Sequence, residues 1–379
     1  MTDHDIVRAV CELVADRPGD PAPLVHAEVR RLAPLCSPEQ RVLLADRAIA
    51  HLGGLGELDT YVRDDAVDEV LVNGGREIWI DRNGALYYVG SLGAESLDLL
   101  IERVLAPLGR RVDRSSPIVD ARLPDGARVC AVLPPVAVDG PVLSIRRFRR
   151  SVLPLESFTN DAGVELLREL VGERCNLVVS GATSSGKTSL VAALLSEVDA
   201  SHRVVVVEDT SELPLRHPHA VRLEARPPTV DGPGQVDLAQ LVRTALRLRP
   251  DRIVVGEVRG DEVLALVQAM NTGHDGSIST CHANSPTDAL LRLESLVLQA
   301  APTWPLTAIR HQLTRSIDVV VHVVRHADGQ RRVTEIAEVV APSAATVRNG
   351  LDASTTHPLA TVGTGGELVV TRSPERRRR

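Results

Sequence analysis

The sequence predicts an α/β fold with a largely parallel sheet, preceded by a small α+β domain and a short helical extension. Three observations carry this. From about residue 160 to 325, short apolar strands alternate with helical segments, the pattern left by helices crossing over a parallel sheet. Inside that stretch, Gly181-Ala182-Thr183-Ser184-Ser185-Gly186-Lys187-Thr188 stands between an apolar strand and a helix and fits G-x-x-x-x-G-K-[ST]. Residues 56–148 instead gather several strands around one helix, as an α+β domain does.

Residues 1–55 read as helical. Ile6, Val7, Val10, Leu13 and Val14 recur at helical spacing, and Ser37-Pro38-Glu39-Gln40 combines an N-cap, a first-turn proline and a capping-box glutamine. Gly53-Gly54 ends that helix. Strands are expected at 69–73 and 77–81, with Asn83-Gly84 turning the second into 86–89. A helix over 95–108 is closed by Gly109. Strands at 118–123, 128–133 and 142–145 follow, with a turn at Pro124-Asp125-Gly126. The run Arg146-Arg147-Phe148-Arg149-Arg150 leads into a linker, 149–158, with Arg147, Arg149 and Arg150 on its surface. The α/β domain occupies 159–341. Its strands fall near 176–180, 204–207, 221–223, 253–255, 277–280 and 319–324, and Asp328-Gly329 turns a terminal hairpin into 333–340. Residues 342–379, rich in Ser, Thr, Gly and Ala and ending in four arginines, read as a mostly disordered tail.

Composition narrows the function. The chain has 379 residues, a net charge of -7 and 43 basic residues, of which Lys187 is the one lysine. Schiff-base chemistry elsewhere, an Asn-Lys-x-Asp guanine motif and a kinase strand lysine are therefore excluded. Aromatics make up 2%, which leaves little for base stacking, and the acidic balance argues against a general DNA binder. No specific nucleic-acid partner is expected. No window approaches a membrane span, and the polar start at Met1 to Asp5 is unlike a signal peptide. The five cysteines are scattered and show no C-x-x-C pair, which reads as a reduced, cytosolic protein without structural zinc.

The loop needs its residue types. Its glycines let backbone N–H groups turn toward phosphate oxygens, and the following helix adds positive potential. Lys187 supplies a compact charge for the β- and γ-phosphates, Thr188 a hydroxyl for Mg²⁺, and Ser189 continues the first helical turn. Carboxylates should complete the site. The strand at 203–207 ends in Glu208-Asp209, and the strand at 253–255 ends in Gly256-Glu257. Strand C-termini converge on the ligand in such sheets. Glu257 is assigned to the attacking water, and Glu208 and Asp209 to metal and support, directly or through water. The polar stretch from Gly273 to Asn284 holds His274, Cys281 and His282, whose spacing fits no zinc pattern well. A γ-phosphate sensor or a buried, hydrogen-bonded histidine fits better, with His282, at a strand end, the better sensor.

With these residues assembled, the chain resembles the type II/IV secretion traffic ATPases. Within them it is most similar to the Tad/CpaF group of Flp-type pilus-assembly ATPases, whose actinobacterial members are often described as conjugal-transfer-associated. The matching stretches run from Asp68 to Gly74, from Arg122 to Val129, through the phosphate loop, around Glu208-Asp209, from Arg249 to Gly260 and up to His282-Ala283-Asn284. The resemblance implies a RecA-like motor domain, a PAS-like N-terminal domain and a hexameric ring with ATP and Mg²⁺ between the domains. It further implies N-domain arginines on the phosphates, for which Arg128 and Arg146 are the candidates. Arg249 and Arg259 are the candidates to bridge subunits, and His274 joins the nucleotide-binding set. Membrane-embedded pilus or secretion platform proteins are the expected partners, at the inner face of the cytoplasmic membrane. The tetracysteine insertion of the pilus-extension and type II branch is absent, and the N-terminal extension is shorter than in longer Tad members. A DNA translocase for conjugation and a nucleotide-gated scaffold with little turnover are the competing readings.

Overall fold

The computed structural model describes residues 2–15, 17, 21–82, 84–93, 96–147, 152–226, 234–340 and 355–375. Asn83 of the expected hairpin turn, Glu95 of the expected helix start, Arg149 and Arg150 of the linker, and Arg376 to Arg379 lie outside them. The chain divides into two compact units, Met1–Arg149 and Arg150–Arg379.

The first unit begins with three helices, α1 (Asp3–Val14), α2 (Pro21–Leu32) and α3 (Pro38–Gly53). Ser37 and Gln40 form the expected capping box at the head of α3, and Thr2 and Asp5 form another at α1. The three helices bury a core of their own, including Val10, Val25, Val29 and Leu44. After the short α4 (Asp59–Val62) come β1 (Glu69–Asn73), β2 (Glu77–Arg82), β3 (Ala85–Ser91), α5 (Leu97–Leu105), β4 (Ile118–Arg122), β5 (Arg128–Val132) and β6 (Val142–Arg146). The strands form one antiparallel sheet in the order β3-β2-β1-β6-β5-β4. Alternate residues Val70, Val72, Ile78, Ile80, Val129, Leu143 and Ile145 bury one face against Leu97, Leu100 and Ile101 of α5, as the two-residue period of a half-buried strand requires. Arg147 departs from the expectation of a surface linker. Its guanidinium donates to the carbonyls of Asp64 and Val67 and meets Asp65 at 2.9 Å, which ties the strand exit back onto the segment before β1.

The second unit contains α6 (Asp161–Gly172), β7 (Leu177–Gly181), α7 (Lys187–Ser196), β8 (Val204–Glu208), β9 (Ala220–Glu224), α8 (Leu238–Ala245), β10 (Arg252–Val255), α9 (Glu262–Asn271), β11 (Ile278–His282), α10 (Pro286–Ala300), α11 (Leu306–Ser316), β12 (Val319–Arg325), β13 (Arg331–Val340), β14 (Thr355–Val362) and β15 (Leu368–Val370). The sheet order is β15-β14-β13-β12-β7-β11-β10-β8-β9. The six strands from β12 to β9 run parallel, and the other three are antiparallel. β7, β8 and β10 are buried throughout, which is why they read as unbroken apolar runs. Leu177 and Val179 face a core shared with α6 and α7; Val178 faces the core of α8 to α11.

Residues 342–354 lie outside the described part of the chain, whereas residues 355–375 differ from the expected disordered tail. Those from Thr355 to Val370 extend the sheet through β14 and β15 and cover the β13 edge. Glu338 of β13 is 1% exposed and is held by Arg372 and by the Glu375 amide at 2.9 Å. The Leu368 carbonyl accepts from the Asn160 side chain at 2.9 Å. A long uncovered sheet edge is a liability, and these strands move the edge from β13 to the three-residue β15.

Candidate functional site

The loop between β7 and α7 is shaped by what surrounds it. Ser184 has φ 59° and Gly186 φ 100°, and a Cβ on Gly186 would lie 2.4 Å from Arg331 Cδ. Both the left-handed backbone and the close approach demand glycine there. Gly186 is the N-cap of α7 and offers no side-chain cap, so the first N–H groups of the helix, from Lys187, Thr188 and Ser189, have no partner within the helix. The Ser185 Oγ is buried without a hydrogen-bond partner, and Ala182, Thr183 and Ser184 are exposed. This is a cradle of donors suited to a polyphosphate.

Lys187 is buried, and its three ammonium donors have three acceptors: the carbonyls of Gly181 (3.0 Å) and Ala182 (2.9 Å) and Nδ1 of His282 (3.1 Å). Burial lowers its pKa, against the pull of Glu257. A lysine can only donate, so Nδ1 of His282 accepts and the ring proton sits on Nε2. That nitrogen lies 2.9 Å from Glu257 Oε1, off line for a hydrogen bond. Burial and then Lys187 lower the His282 pKa, which keeps the ring neutral. The other oxygen of Glu257 accepts from Arg259 at 2.6 Å. Burial raises the Glu257 pKa, but Arg259, His282 and Lys187 outweigh it and leave the carboxyl below its ordinary range. Lys187, His282, Glu257 and Arg259 thus form one continuous polar chain.

The second carboxylate strand meets this group closely. β8 and β10 are paired up to Val207 and Val255, and a Cβ on Gly256 would lie 2.8 Å from Glu208 Cγ, so the glycine leaves room for the Glu208 side chain. Glu208 Oε1 accepts the amides of Glu212 (3.0 Å) and Leu213 (2.8 Å). Its Oε2 is buried without a hydrogen bond, 3.8 Å from Arg222. Burial raises its pKa. Asp209 is exposed and helps to raise the pKa of Arg259, after the dominant bond to Glu257. Thr188, Asp209 and the spare Glu208 oxygen are the groups that fit a phosphate-bound Mg²⁺. Such an ion keeps several waters and needs only one or two carboxylates. Among the described residues no group of three or more His, Cys, Asp or Glu side chains could hold a metal by itself.

Two expected site residues lie elsewhere. β11 runs parallel to β7 with His282 beside Gly181, so His274, before the start of β11, sits at the opposite end of the strand. Its ring is 3.3 Å from the Ala269 carbonyl, and it does not join the phosphate loop. His274 and His282 cannot share an ion for the same reason. Arg249, exposed with φ 54°, precedes β10 and is likewise at the far end of the sheet from the loop. In the first unit, Arg128 and Arg146 are direct cross-strand partners, with Arg122 opposite Arg128 and Glu69 opposite Arg146. Arg128 also pairs with Asp120 at 3.2 Å.

Residues not singled out from the sequence also reach the site. Thr280 Oγ1 donates to the Gly256 carbonyl at 2.7 Å and fastens β11 to β10 just before Glu257. Ser180, preceding the loop, shares a 2.9 Å hydrogen bond with His322. Arg331 lies on Gly186. Only the fold brings Thr280, His322 and Arg331 near the loop.

Comparison with known proteins shows what the chain as a whole is similar to. The family model described as "Type II/IV secretion system protein" matches residues 53–362. A putative conjugal transfer protein of Mycobacterium tuberculosis is 40% identical over 299 residues, covering 76% of this chain and 84% of its own. The conjugal transfer protein TrbB of Rhizobium radiobacter is 34% identical over 296 residues, covering 75% and 88%. Among solved structures, the Legionella pneumophila ATPase DotB aligns with a TM-score of 0.53 at 20% identity, over 73% of this chain and 77% of that one, a likeness of fold.

Proposed function

Because the chain belongs to the type II/IV secretion system protein family, we propose that it is an ATP-hydrolysing motor of a secretion or pilus-assembly apparatus. The observation that carries this reading is the placement of Lys187. The one lysine is buried at the mouth of an uncapped helix, linked through His282 to Glu257. In the reaction, a water oxygen attacks the γ-phosphorus, the bond to the bridging oxygen breaks, one proton of the water stays on the phosphate and the other passes to solvent, and ADP and phosphate leave. Thr188, Asp209 and Glu208 are the residues that would hold a Mg²⁺ ion, which would supply positive charge to the phosphates when bound. The loop amides of residues 181–189 and Lys187 grip the phosphates. Glu257, held ionised by Arg259, accepts a hydrogen bond from the attacking water. Its lowered pKa makes it a weak base, which suits orientation of the water better than outright proton removal. His282, neutral and accepting from Lys187 through Nδ1, carries its proton on Nε2, the nitrogen from which it would donate to the γ-phosphate, and Lys187 would exchange its contact with His282 for a phosphate oxygen.

The family analogy extends the reading to a homo-hexamer with a PAS-like first domain. In it Arg128 and Arg146 meet the phosphates, and Arg249 and Arg259 face a neighbouring copy. Among the described residues no helix is long and apolar enough to cross a membrane. By the family analogy we assign it a peripheral place at the cytoplasmic face of the membrane, on an embedded platform of the Flp/Tad type. The names of the relatives favour conjugal transfer as a second setting. There too the chain acts as a motor, since a net charge of -7 and 2% aromatics suit neither counterion release nor base stacking. The test is phosphate release against protein concentration. Specific activity should rise as rings assemble and vanish in Lys187→Ala. Turnover in that variant equal to the wild type would remove the site assignment, and activity independent of concentration with only monomers in light scattering would remove the ring. Tight, salt-sensitive DNA binding would favour the translocase.

A further inference from the structure

We propose that the β12–β13 hairpin is part of the nucleotide site, and that Arg325 and Arg331 bind the phosphates of the nucleotide; this rests on the nucleotide-binding reading above. Val321 and Val323 of β12 and Val333 of β13 are buried in the same core as Leu190, Val191 and Leu194 of α7. Side chains two residues apart on a strand share a face. Arg325, two beyond Val323, and Arg331, two before Val333, therefore lie on the α7 side of the sheet, and they are direct cross-strand partners.

The hairpin abuts the loop at both of its glycines. A Cβ on Gly181 would lie 2.4 Å from the Val323 carbonyl oxygen, and one on Gly186 would lie 2.4 Å from Cδ, 3.1 Å from Cγ and 3.2 Å from Nε of Arg331. The Arg331 stem thus crosses the loop at the N-cap of α7. Two guanidinium groups facing one another across a ladder repel, and the positive end of a helix adds to that repulsion. A polyanion seated on the loop relieves both. Each arginine has an interaction of its own within the chain, yet a guanidinium carries five N–H donors and can serve a phosphate as well. This contribution differs from that of Lys187, because it comes from the loop's flank and belongs to binding. It should be felt equally by ATP and ADP.

The experiment is titration of the full chain with ADP and with inorganic tripolyphosphate, beside steady-state kinetics with ATP. Arg331→Met keeps the stem that packs on Gly186 and removes the charge; Arg331→Lys restores a charge; Arg325→Met tests the partner. Arg331→Met should weaken both ligands about ten- to a hundredfold, the loss expected for one charge-assisted hydrogen bond. KM for ATP should rise in step, kcat should change less, and Arg331→Lys should recover part of the affinity. If both Met variants bind ADP and tripolyphosphate within about twofold of the wild type, while Lys187→Ala does not bind, the hairpin proposal is wrong and the nucleotide site stands. If Lys187→Ala also binds normally, the nucleotide site itself falls and takes the proposal with it.

Discussion

Glu208→Gln should stabilise the protein at neutral pH while impairing its Mg²⁺-dependent activity. The carboxyl is 4% exposed. One oxygen accepts two backbone amides, and the other is buried with Arg222 no nearer than 3.8 Å. Glutamine keeps the oxygen that the amides need and removes the charge. Burial raises the Glu208 pKa in the folded protein above its ordinary 4.5, so the folded state holds this proton more tightly than the unfolded one. Stability from this group is then greatest below about pH 4.5, falls as pH rises through the folded value, and is lowest above it. The buried charge costs several kcal/mol before compensation, and the two amides, Arg222 and the unpaired NH₂ that glutamine would leave in its place reduce the net gain from removing it to about 1 kcal/mol. For a unit of this size that is roughly 2–4 °C in Tm. Calorimetry at pH 7.5 should show Glu208→Gln melting higher by that margin, with the gap closing toward pH 4.5. ATP turnover in excess Mg²⁺ should fall in the same variant. A Tm lower than the wild type at pH 7.5 would show that the charge is stabilising, and would refute the argument from burial.

Gly186→Ala should lower Tm and weaken ADP binding together. A left-handed alanine costs about 1–2 kcal/mol, before Arg331 is displaced from the 2.4 Å contact; unchanged melting and binding would contradict this. Arg372→Met should destabilise by roughly 3 kcal/mol in urea unfolding, near the low end for breaking a buried pair, because Glu338 loses its guanidinium partner beneath the strand cover. Adding Glu338→Gln should recover much of the loss, and a double variant no better than the single one would speak against a charge effect. Glu257→Gln should reduce kcat by about 10²-fold, the loss expected when the attacking water is no longer positioned, with ADP affinity nearly unchanged. The Glu257 pKa lies below its ordinary 4.5, so its contribution to stability is present above that value and is lost as pH falls through the folded pKa. The difference in stability between wild type and Glu257→Gln should therefore shrink in that acid range.

How much of this was legible in the sequence follows from how locally each feature is determined. The phosphate loop is written in consecutive residues, since its glycines, lysine and threonine answer to one local geometry. Glu257 and His282 could be placed because each ends an apolar strand of a parallel sheet, where C-termini share an edge. The same rule, applied with strand direction, removes His274 and Arg249, which precede their strands; their sequence neighbourhood alone does not carry that direction. The strand β14 was hidden for a different reason. Its segment, Thr355–Val362, includes Pro358 and three threonines and reads as loop, yet it pairs with β13, with Pro358 beside a register shift. Edge pairing is decided by the partner strand more than by propensity. Arg331 had no signal of its own, being one arginine among 42, and only the hairpin register carries it to the loop.

The scarcity of lysine gains a physical meaning from the geometry around Lys187. Arginines in this chain meet carboxylates, as at Arg259–Glu257 and Arg310–Glu294, and lie along backbone carbonyls, as Arg252 does toward Val171 and Gly276. A planar fork serves all of these. Lys187 alone must donate to three acceptors converging on one nitrogen: two carbonyls of its own loop and an imidazole from the neighbouring strand. A tetrahedral ammonium has three hydrogens that diverge from one atom, whereas a guanidinium spreads its donors in a plane over three nitrogens. Substituting arginine elsewhere loses little; here it would leave the loop carbonyls and His282 without a common donor. The site most demanding of lysine in the fold is therefore the place where the chain keeps its single one.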